Sequence, residues 1–428
     1  MKRTSRLILA GALALAVGVA PLGATGTQEQ DRGETQEAPE AAGSAESAGA
    51  AESQGSAGSP ASTAAAPATV SELKEEGARI PEVGNYAGGF QAYRAGELTL
   101  IEVTRPWQNA SPRDAMRYLL YPRGLDAPEV DGVDLAVGVP IDSIVTMSTT
   151  FLPHLEALGV MESLVAVDSA AYAYNEDVHS MTDDGETAEV GSGPDVDVER
   201  LIALDPDLIM VNSYRGDWDV QPTLEEAGLP VVVNGDWVEN RPLGRAEWLL
   251  FTALFFDDLE TALGVFERIE AEYRRLAALP EDTAERPTVL VNAPYQGDWS
   301  VPGGDSYAAR FIRDAGGAYV WEENESTGSL FFDVESVYAE AGDADIWINP
   351  GVWTSLDQGA AEDERFTEFT AFAKGEVYNN NRRMGPGGGN DYFESGALHP
   401  ERILADLIRI FHPELLPDRE LFYYRKLQ

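Results

Sequence analysis

Cysteine is absent from all 428 residues. Its absence excludes a disulfide framework, a thiolate metal site, a cysteine nucleophile and a lipidated N-terminal cysteine. Histidine is nearly absent, since His154, His179, His399 and His412 are the only four. A site of three or four imidazoles would use almost all of them. Positive charge is scarce as well: 30 Lys and Arg stand against 73 Asp and Glu, a net charge of −43. A chain this acidic does not work by neutralising nucleic-acid phosphates or anionic lipid over a broad surface, so no nucleic-acid partner is expected. Only four of the 30 basic residues are lysine. Such a surface suits a high-salt habitat, where counterions screen the self-repulsion.

With 44% hydrophobic and 9% aromatic residues, the bulk of the chain can bury a core. At about 100–200 residues per domain, the length suggests two folded units and a tail. Lys2, Arg3 and Arg6 precede an uncharged run from Leu7 to Ala20, followed by small residues near Gly23, Ala24 and Gly26. This is the grammar of a cleaved signal peptide over residues 1–26. Residues 27–70 are rich in Ala, Ser, Gly, Glu and Pro with almost no large apolar residue. They read as a disordered acidic linker.

After Leu98 short β-rich runs alternate with helical periodicity. LTLIEV, DSIVTM, LVAV, DLIMV and PVVV are separated by helix-like stretches at Leu152–Leu158, Val198–Leu204 and Thr223–Ala227. The alternation predicts a largely parallel sheet covered on both faces, in a first lobe over 71–242. Whether the residues before Leu98 pack on that lobe is left open.

From 243 to 279 there is no proline, and Trp248, Thr252, Phe255, Leu259, Ala262, Phe266, Ile269, Tyr273 and Leu276 recur at steps of three and four. The spacing predicts one unbroken helix about 50 Å long. The alternation resumes with TVLVN, Tyr307–Ala315, DIWIN, Arg365–Ala373 and a last helix at Pro400–Phe411, giving a second lobe over 280–428. The fold class is therefore α/β, two Rossmann-like lobes with mainly parallel sheets joined by one long helix. On this reading a break between Phe255 and Ile269, or fusion of the halves into one continuous sheet without a crevice, would overturn the transport-receptor assignment.

The halves share an internal echo. VDVERLIALDPDLIMVN sets Glu199 on the first turn of a short helix ahead of a buried strand, and FFDVESVYAEAGDADIWIN does the same with Glu335. Asp197 and Asp333 suit N-caps, and each glutamate suits a first turn through the helix dipole.

On these two segments, on VPIDSIVTMSTTFLPHLEALGVMESLVAVD, on the long helix and on VYNNNRRMGPGGGNDYFESGALHPERILADLIRIFHPELLPD, the chain resembles the periplasmic substrate-binding proteins for iron–siderophore, haem and vitamin B12 uptake. The resemblance runs from about Leu98 to the C-terminus. It implies the class III fold of those proteins and a single-chain receptor for an ABC importer. The partners it implies are a transmembrane permease with its cytoplasmic ATPase. It also implies that one surface glutamate per lobe docks on permease arginines, here Glu199 and Glu335. With no lipid-anchor cysteine, a free periplasmic monomer is expected.

Loops after the strands offer ligand groups. In the first lobe these are Ser148, Thr149 and Thr150, then Tyr172 and Tyr174, then Tyr214, Arg215 and Trp218, and Trp237. In the second they are Tyr295, Trp299, Trp353, Arg382 and Arg383. The expected ligand-binding set is Thr149, Tyr172, Tyr174, Tyr214, Arg215, Trp218, Tyr295, Trp299, Arg382 and Arg383, with Trp237 and Trp353 assigned to the core. Aromatic faces suit a macrocycle or catecholate, and guanidinium groups suit the anionic oxygens of a ferric chelate. No resident cofactor is expected. The cargo is a chelated iron complex, with cobalamin or haem as alternatives.

Gly385–Asp391 has no following Lys-Ser or Lys-Thr, so it reads as a flexible loop at the cleft mouth rather than a phosphate loop. A bare metal held by His154, His179 and His399 is the weaker alternative, with His154 taken as a surface histidine. An extracytoplasmic chelatase-like or hydrolytic enzyme is the competing class. It would need a nucleophile, acid–base pair or metal constellation that the sequence does not offer.

Overall fold

A computed structural model describes residues 68–216, 218–283 and 285–428. The expected signal peptide and all but the end of the expected linker lie outside the described residues.

After a short helix, Val70–Glu76, come five strands: β1 (Ala78–Arg79), β2 (Phe90–Ala95), β3 (Leu98–Val103), β4 (Met116–Pro122) and β5 (Leu135–Val139). They form their own sheet in sequential order, antiparallel except for the β4–β5 pair. LTLIEV, expected as the first strand of a parallel sheet, is β3 of this separate one. The cause is local: Ala95 pairs with Leu98 across Gly96–Glu97, and Gly96 takes φ +62°, the left-handed backbone that a two-residue hairpin turn needs.

Two buried glutamates hold this sheet, Glu239 of the first lobe and Glu247 at the joint of the helices that follow it. Glu247 accepts hydrogen bonds from the Asn85, Tyr86 and Ala87 amides at 2.8, 2.8 and 2.6 Å. Glu239 accepts from the Gly88 and Gly89 amides at 3.2 and 2.8 Å. Phe90 packs on Trp248, ring centroids 4.5 Å apart. The residues before Leu98 therefore do pack on the first lobe.

The first lobe holds β6 (Ile144–Thr146), β7 (Leu164–Val167), β8 (Ala188–Glu189), β9 (Leu208–Val211) and β10 (Val231–Val233), in the order β10-β9-β6-β7-β8. All its pairs are parallel. Strands such as LIMV and VVV are buried along their whole length, the mark of a sheet covered on both faces.

The second lobe holds β11 (Thr288–Val291), β12 (Trp299–Pro302), β13 (Ala318–Tyr319), β14 (Ser329–Phe332), β15 (Ile346–Ile348), β16 (Val377–Asn379) and β17 (Arg425–Lys426). Its main sheet runs β13-β11-β15-β16-β17, parallel but for the last pair, and β12 and β14 make a separate ribbon. The two lobes keep separate sheets.

The expected unbroken helix over 243–279 is three helices: Pro242–Ala246, Trp248–Phe255 and Leu259–Ala277. Backbone dihedrals stay helical at Glu247, so the first two are nearly continuous. The break falls at 256–258. Asp257 takes φ +52°, and the Asp258 side chain accepts from the Thr261 amide to start a new helix. Aspartate competes for backbone N–H groups and tolerates the left-handed region, so two in succession end a helix without glycine or proline. The apolar stripe still faces inward, with Ala262, Phe266, Ile269, Tyr273 and Leu276 buried. Helix Leu259–Ala277 packs on the final helix, Pro400–Phe411.

Candidate functional site

Parallel strands deliver their following loops to one edge, and in both lobes the expected ligand groups sit there. Along the first lobe, the loops after β9, β6 and β7 are neighbours. At strand spacings near 4.8 Å, the outer two start about 10 Å apart.

After β6, Ser148 caps the short 3-10 helix Thr149–Phe151. Thr149 lies in a seam with Asp168, Ser169 and Ala173 too narrow to admit a water molecule. Burial pushes the Asp168 carboxyl up to about 6. After β7, Tyr172 and Tyr174 are half-buried. After β9, Tyr214 packs on Trp237 at 4.8 Å, Arg215 stacks on Trp107, and Trp218 lies against Gly193 with 70% of its surface exposed.

The second lobe corrects one assignment. Trp299 is fully buried, stacked on Trp347 at 5.4 Å, and its Nε1 donates to the Val291 carbonyl at 3.0 Å. It begins β12, whose alternation points it into the core, so it is no ligand contact. Trp353 is buried as expected, while Trp237 is half-buried. Tyr295 is 55% exposed on the turn before β12.

Three of the expected residues converge. Tyr174 from the first lobe and Arg382, Arg383, Met384, Glu420, Leu421 and Phe422 from the second line an open pocket of about 430 Å³. The Arg383 guanidinium lies 4.7 Å from the Tyr174 ring and 4.3 Å from the Phe422 ring, and pairs with the buried Asp391. Arg382 donates to the Leu421 carbonyl. Both guanidinium groups keep an accessible edge, as a site for anionic oxygens requires.

The lobes meet beside this pocket. Gly385–Asp391, expected as a flexible loop, packs flush on the first lobe. A Cβ on Gly387 would lie 2.4 Å from the Ala171 carbonyl oxygen, and one on Gly389 2.3 Å from that of Tyr172. Glycine is required for close backbone approach, not for freedom. Glu394, just beyond, accepts from the Tyr174 and Asn175 amides at 2.7 and 2.9 Å. On the other side, Arg245 links the lobes. Its Nε is 3.3 Å from the buried Asp236, and its guanidinium carbon is 5.4 Å from the Tyr307 ring.

Four buried polar atoms at the ends of β6, β9 and β10 have no partner within the described protein: Thr146 Oγ1, Asn212 Oδ1, Asp236 Oδ1 and Trp237 Nε1. Such groups cost free energy unless something else bonds them. They make this edge of the first lobe ready for a polar ligand or bound water.

The histidines do not assemble. His154, expected at the surface, is 1% exposed and bonded through Nδ1 to Thr252 Oγ1 at 2.9 Å. Burial pushes its imidazole down to about 3. His179 bonds the Ala173 carbonyl, and His399 bonds Glu401. Among the described residues, no group of three or more His, Asp or Glu side chains is placed to hold a metal ion.

The internal echo is structural. Asp197 caps Val198–Leu204 through the Arg200 amide at 2.9 Å, and Asp333 caps Val334–Ala341 through the Ser336 amide at 2.7 Å. Glu199 and Glu335 are both exposed in the first turns, and Glu335 pairs with Arg365. Sequence reading missed Glu394, Arg245 and Trp107, since no motif marks residues that act by meeting another element.

A family model described as "Periplasmic binding protein" matches residues 144–382. An uncharacterized lipoprotein of Methanocaldococcus jannaschii, MJ0878, is 27% identical over 300 residues, 68% of this chain and 70% of its own. A second, MJ0872, is 25% identical over 332 residues, 73% of this chain and 80% of its own. A periplasmic binding protein from Veillonella parvula superposes with TM-score 0.51 at 10% identity, over 70% of this chain and 95% of that one. The periplasmic heme-binding protein RhuT from Roseiflexus sp. RS-1 in apo form does so with TM-score 0.50 at 17% identity, over 64% of this chain and 99% of that one. These relatives correct one expectation: two of them are named lipoproteins, so a free periplasmic protein inferred from the missing cysteine does not stand. The break at 256–258 does not remove the two-lobed α/β class III architecture, and with more than half its length matched, the chain belongs to the periplasmic binding protein family.

Proposed function

We propose that this protein captures an iron complex, a ferric siderophore or related chelate, between its lobes and delivers it to the permease of an ABC importer. The observation that carries this reading is the convergence of Tyr174, Arg382 and Arg383 from both lobes on one pocket of about 430 Å³. That volume is within the range of small-molecule sites. Two guanidinium groups beside aromatic rings suit an anionic, oxygen-coordinated metal complex, and a ligand carboxylate or catecholate oxygen would meet them alongside their own carboxylate partners, Asp391 and Glu420.

In this reading Tyr172, Thr149, Tyr214, Arg215, Trp218 and Tyr295 line the approaches, and Glu199 and Glu335 are the docking points. The protein binds and releases its ligand unchanged. Titration of the purified protein with ferric siderophores, haemin and cobalamin, followed by tryptophan fluorescence, tests it. Saturable binding of a ferric chelate, weakened at least tenfold in Arg382→Ala/Arg383→Ala, is expected. Binding of haemin or cobalamin alone would move the ligand class, and chemical turnover of any of them would favour an enzyme.

A further inference from the structure

The family match begins at residue 144, yet the separate sheet that precedes it sends a loop to both lobes. The loop between β3 and β4 crosses the molecule. Arg105 is held by the buried Glu239 at 3.3 Å. Gln108 stands against the second lobe, where a Cβ on Gly328 would lie 3.2 Å from its Nε2. Between them Trp107, 8% exposed, lies beneath Arg215 with its ring centroid 3.7 Å from the guanidinium carbon.

Three features single out Arg215. Its backbone is left-handed, φ +53°, a conformation that costs a non-glycine residue free energy and persists where the surroundings impose it. Its amide is fixed by Asp219 at 3.0 Å. Its side chain makes no ion pair and no hydrogen bond among the described residues, although acids outnumber bases by more than two to one. Stacking on indole fixes the plane of a guanidinium while leaving its N–H edge unused. The preceding residue, Tyr214, packs on Trp237 and accepts a hydrogen bond from Asn212, two residues that carry the unpartnered atoms Trp237 Nε1 and Asn212 Oδ1.

We propose that Trp107, supplied by the N-terminal sheet, is a positioning residue of the binding crevice that holds Arg215 flat, its N–H edge turned to an anionic oxygen-donor ligand. This rests on the reading of the crevice as a ferric-chelate site. The N-terminal sheet is then a third wall of that site, and Arg215 selects for ligand charge.

The test is calorimetric titration of the full chain with two ferric probes, a trianionic hexadentate tris-catecholate and the uncharged tris(acetohydroxamate). In wild type the trianionic probe binds more tightly, with an affinity that falls as salt rises. Trp107→Ala and Arg215→Gln each weaken it about five- to tenfold and flatten the salt dependence. Both leave the uncharged probe within about twofold. Trp107→Phe recovers most of the loss, and the double variant is no weaker than either single one, because the two residues act as a unit. Arg215 is exposed, so its variant stays informative if Trp107→Ala folds poorly. Equal loss for both probes, or additive losses in the double variant, overturns the proposal while leaving the chelate reading intact. Wild type that binds neither probe overturns both.

Discussion

Glu394 of the second lobe receives the backbone amide of Tyr174 of the first at 2.7 Å, and that of Asn175 at 2.9 Å. This carboxylate, 3% exposed, is the polar clasp of the lobe interface beside the Arg382–Arg383 pocket. Burial pushes it up to about 7, with Asp391 and Glu156 adding to the rise and the two amides opposing it.

A folded-state carboxyl raised above its unfolded value takes up protons on folding. Its contribution is therefore present below about pH 4.5 and lost as pH rises through about 7. The difference in thermal midpoint between wild type and Glu394→Gln should shift against wild type between pH 5 and 8, by at most about 3 kcal/mol in stability. A pH-independent difference would show that Glu394 titrates normally.

His154 carries the opposite sign. Its imidazole is pushed down to about 3 by burial, so below about pH 6.5 the unfolded chain binds a proton the folded one refuses. Stability should fall by up to about 1.4 kcal/mol per pH unit on acidification. Urea unfolding at pH 7.5 and 5.5 should give a smaller acid loss in His154→Gln than in wild type.

Gly387 and Gly389 let the second lobe approach the backbone of Ala171 and Tyr172. Gly387→Ala would force the seam apart, since overpacking costs about 1–3 kcal/mol. A lower ligand affinity, a larger radius of gyration in small-angle scattering and a thermal midpoint lowered by about a few degrees are expected. Unchanged affinity and radius would mean that the seam does not set closure.

Trp299 is a core residue in this structure, packed between Trp347, Phe366 and Phe369. Trp299→Ala should cost about 3–5 kcal/mol in denaturant unfolding, while the folded fraction binds ligand as wild type does. Selective loss of affinity without loss of stability would return it to the site.

Glu199→Ala/Glu335→Ala should keep ligand affinity and abolish most uptake in cells. Because Glu335 already pairs with Arg365, the single Glu199 variant should show the greater part of the loss. Normal uptake by the double variant removes the docking role.

The local elements were legible in advance. Helices Leu152–Leu158, Val198–Leu204 and Pro400–Phe411 lie where their periodicity and caps put them. Asp197 and Asp333 cap as short polar side chains ahead of apolar periods do. The break at Asp257–Asp258 was not, because a stripe at steps of three and four reads the same across a reset of phase. Its consequence is small: the pieces on both sides bury their apolar faces in one continuous core, so the joint needs no single rod to be stiff.

Sequence alone determined the parallel lobes, their repeated capped helices and the loops that carry aromatic and guanidinium groups, because each depends on neighbours within a few residues. Tertiary structure decided which of those groups share a pocket, that Trp299 turns inward and that Gly387 and Gly389 form a seam. It also decided that Trp107, far upstream, lies under Arg215. Those outcomes depend on contacts between residues well separated in the chain, 48 positions for Trp299 and Trp347, 108 for Trp107 and Arg215 and 220 for Tyr174 and Glu394, which no local pattern encodes.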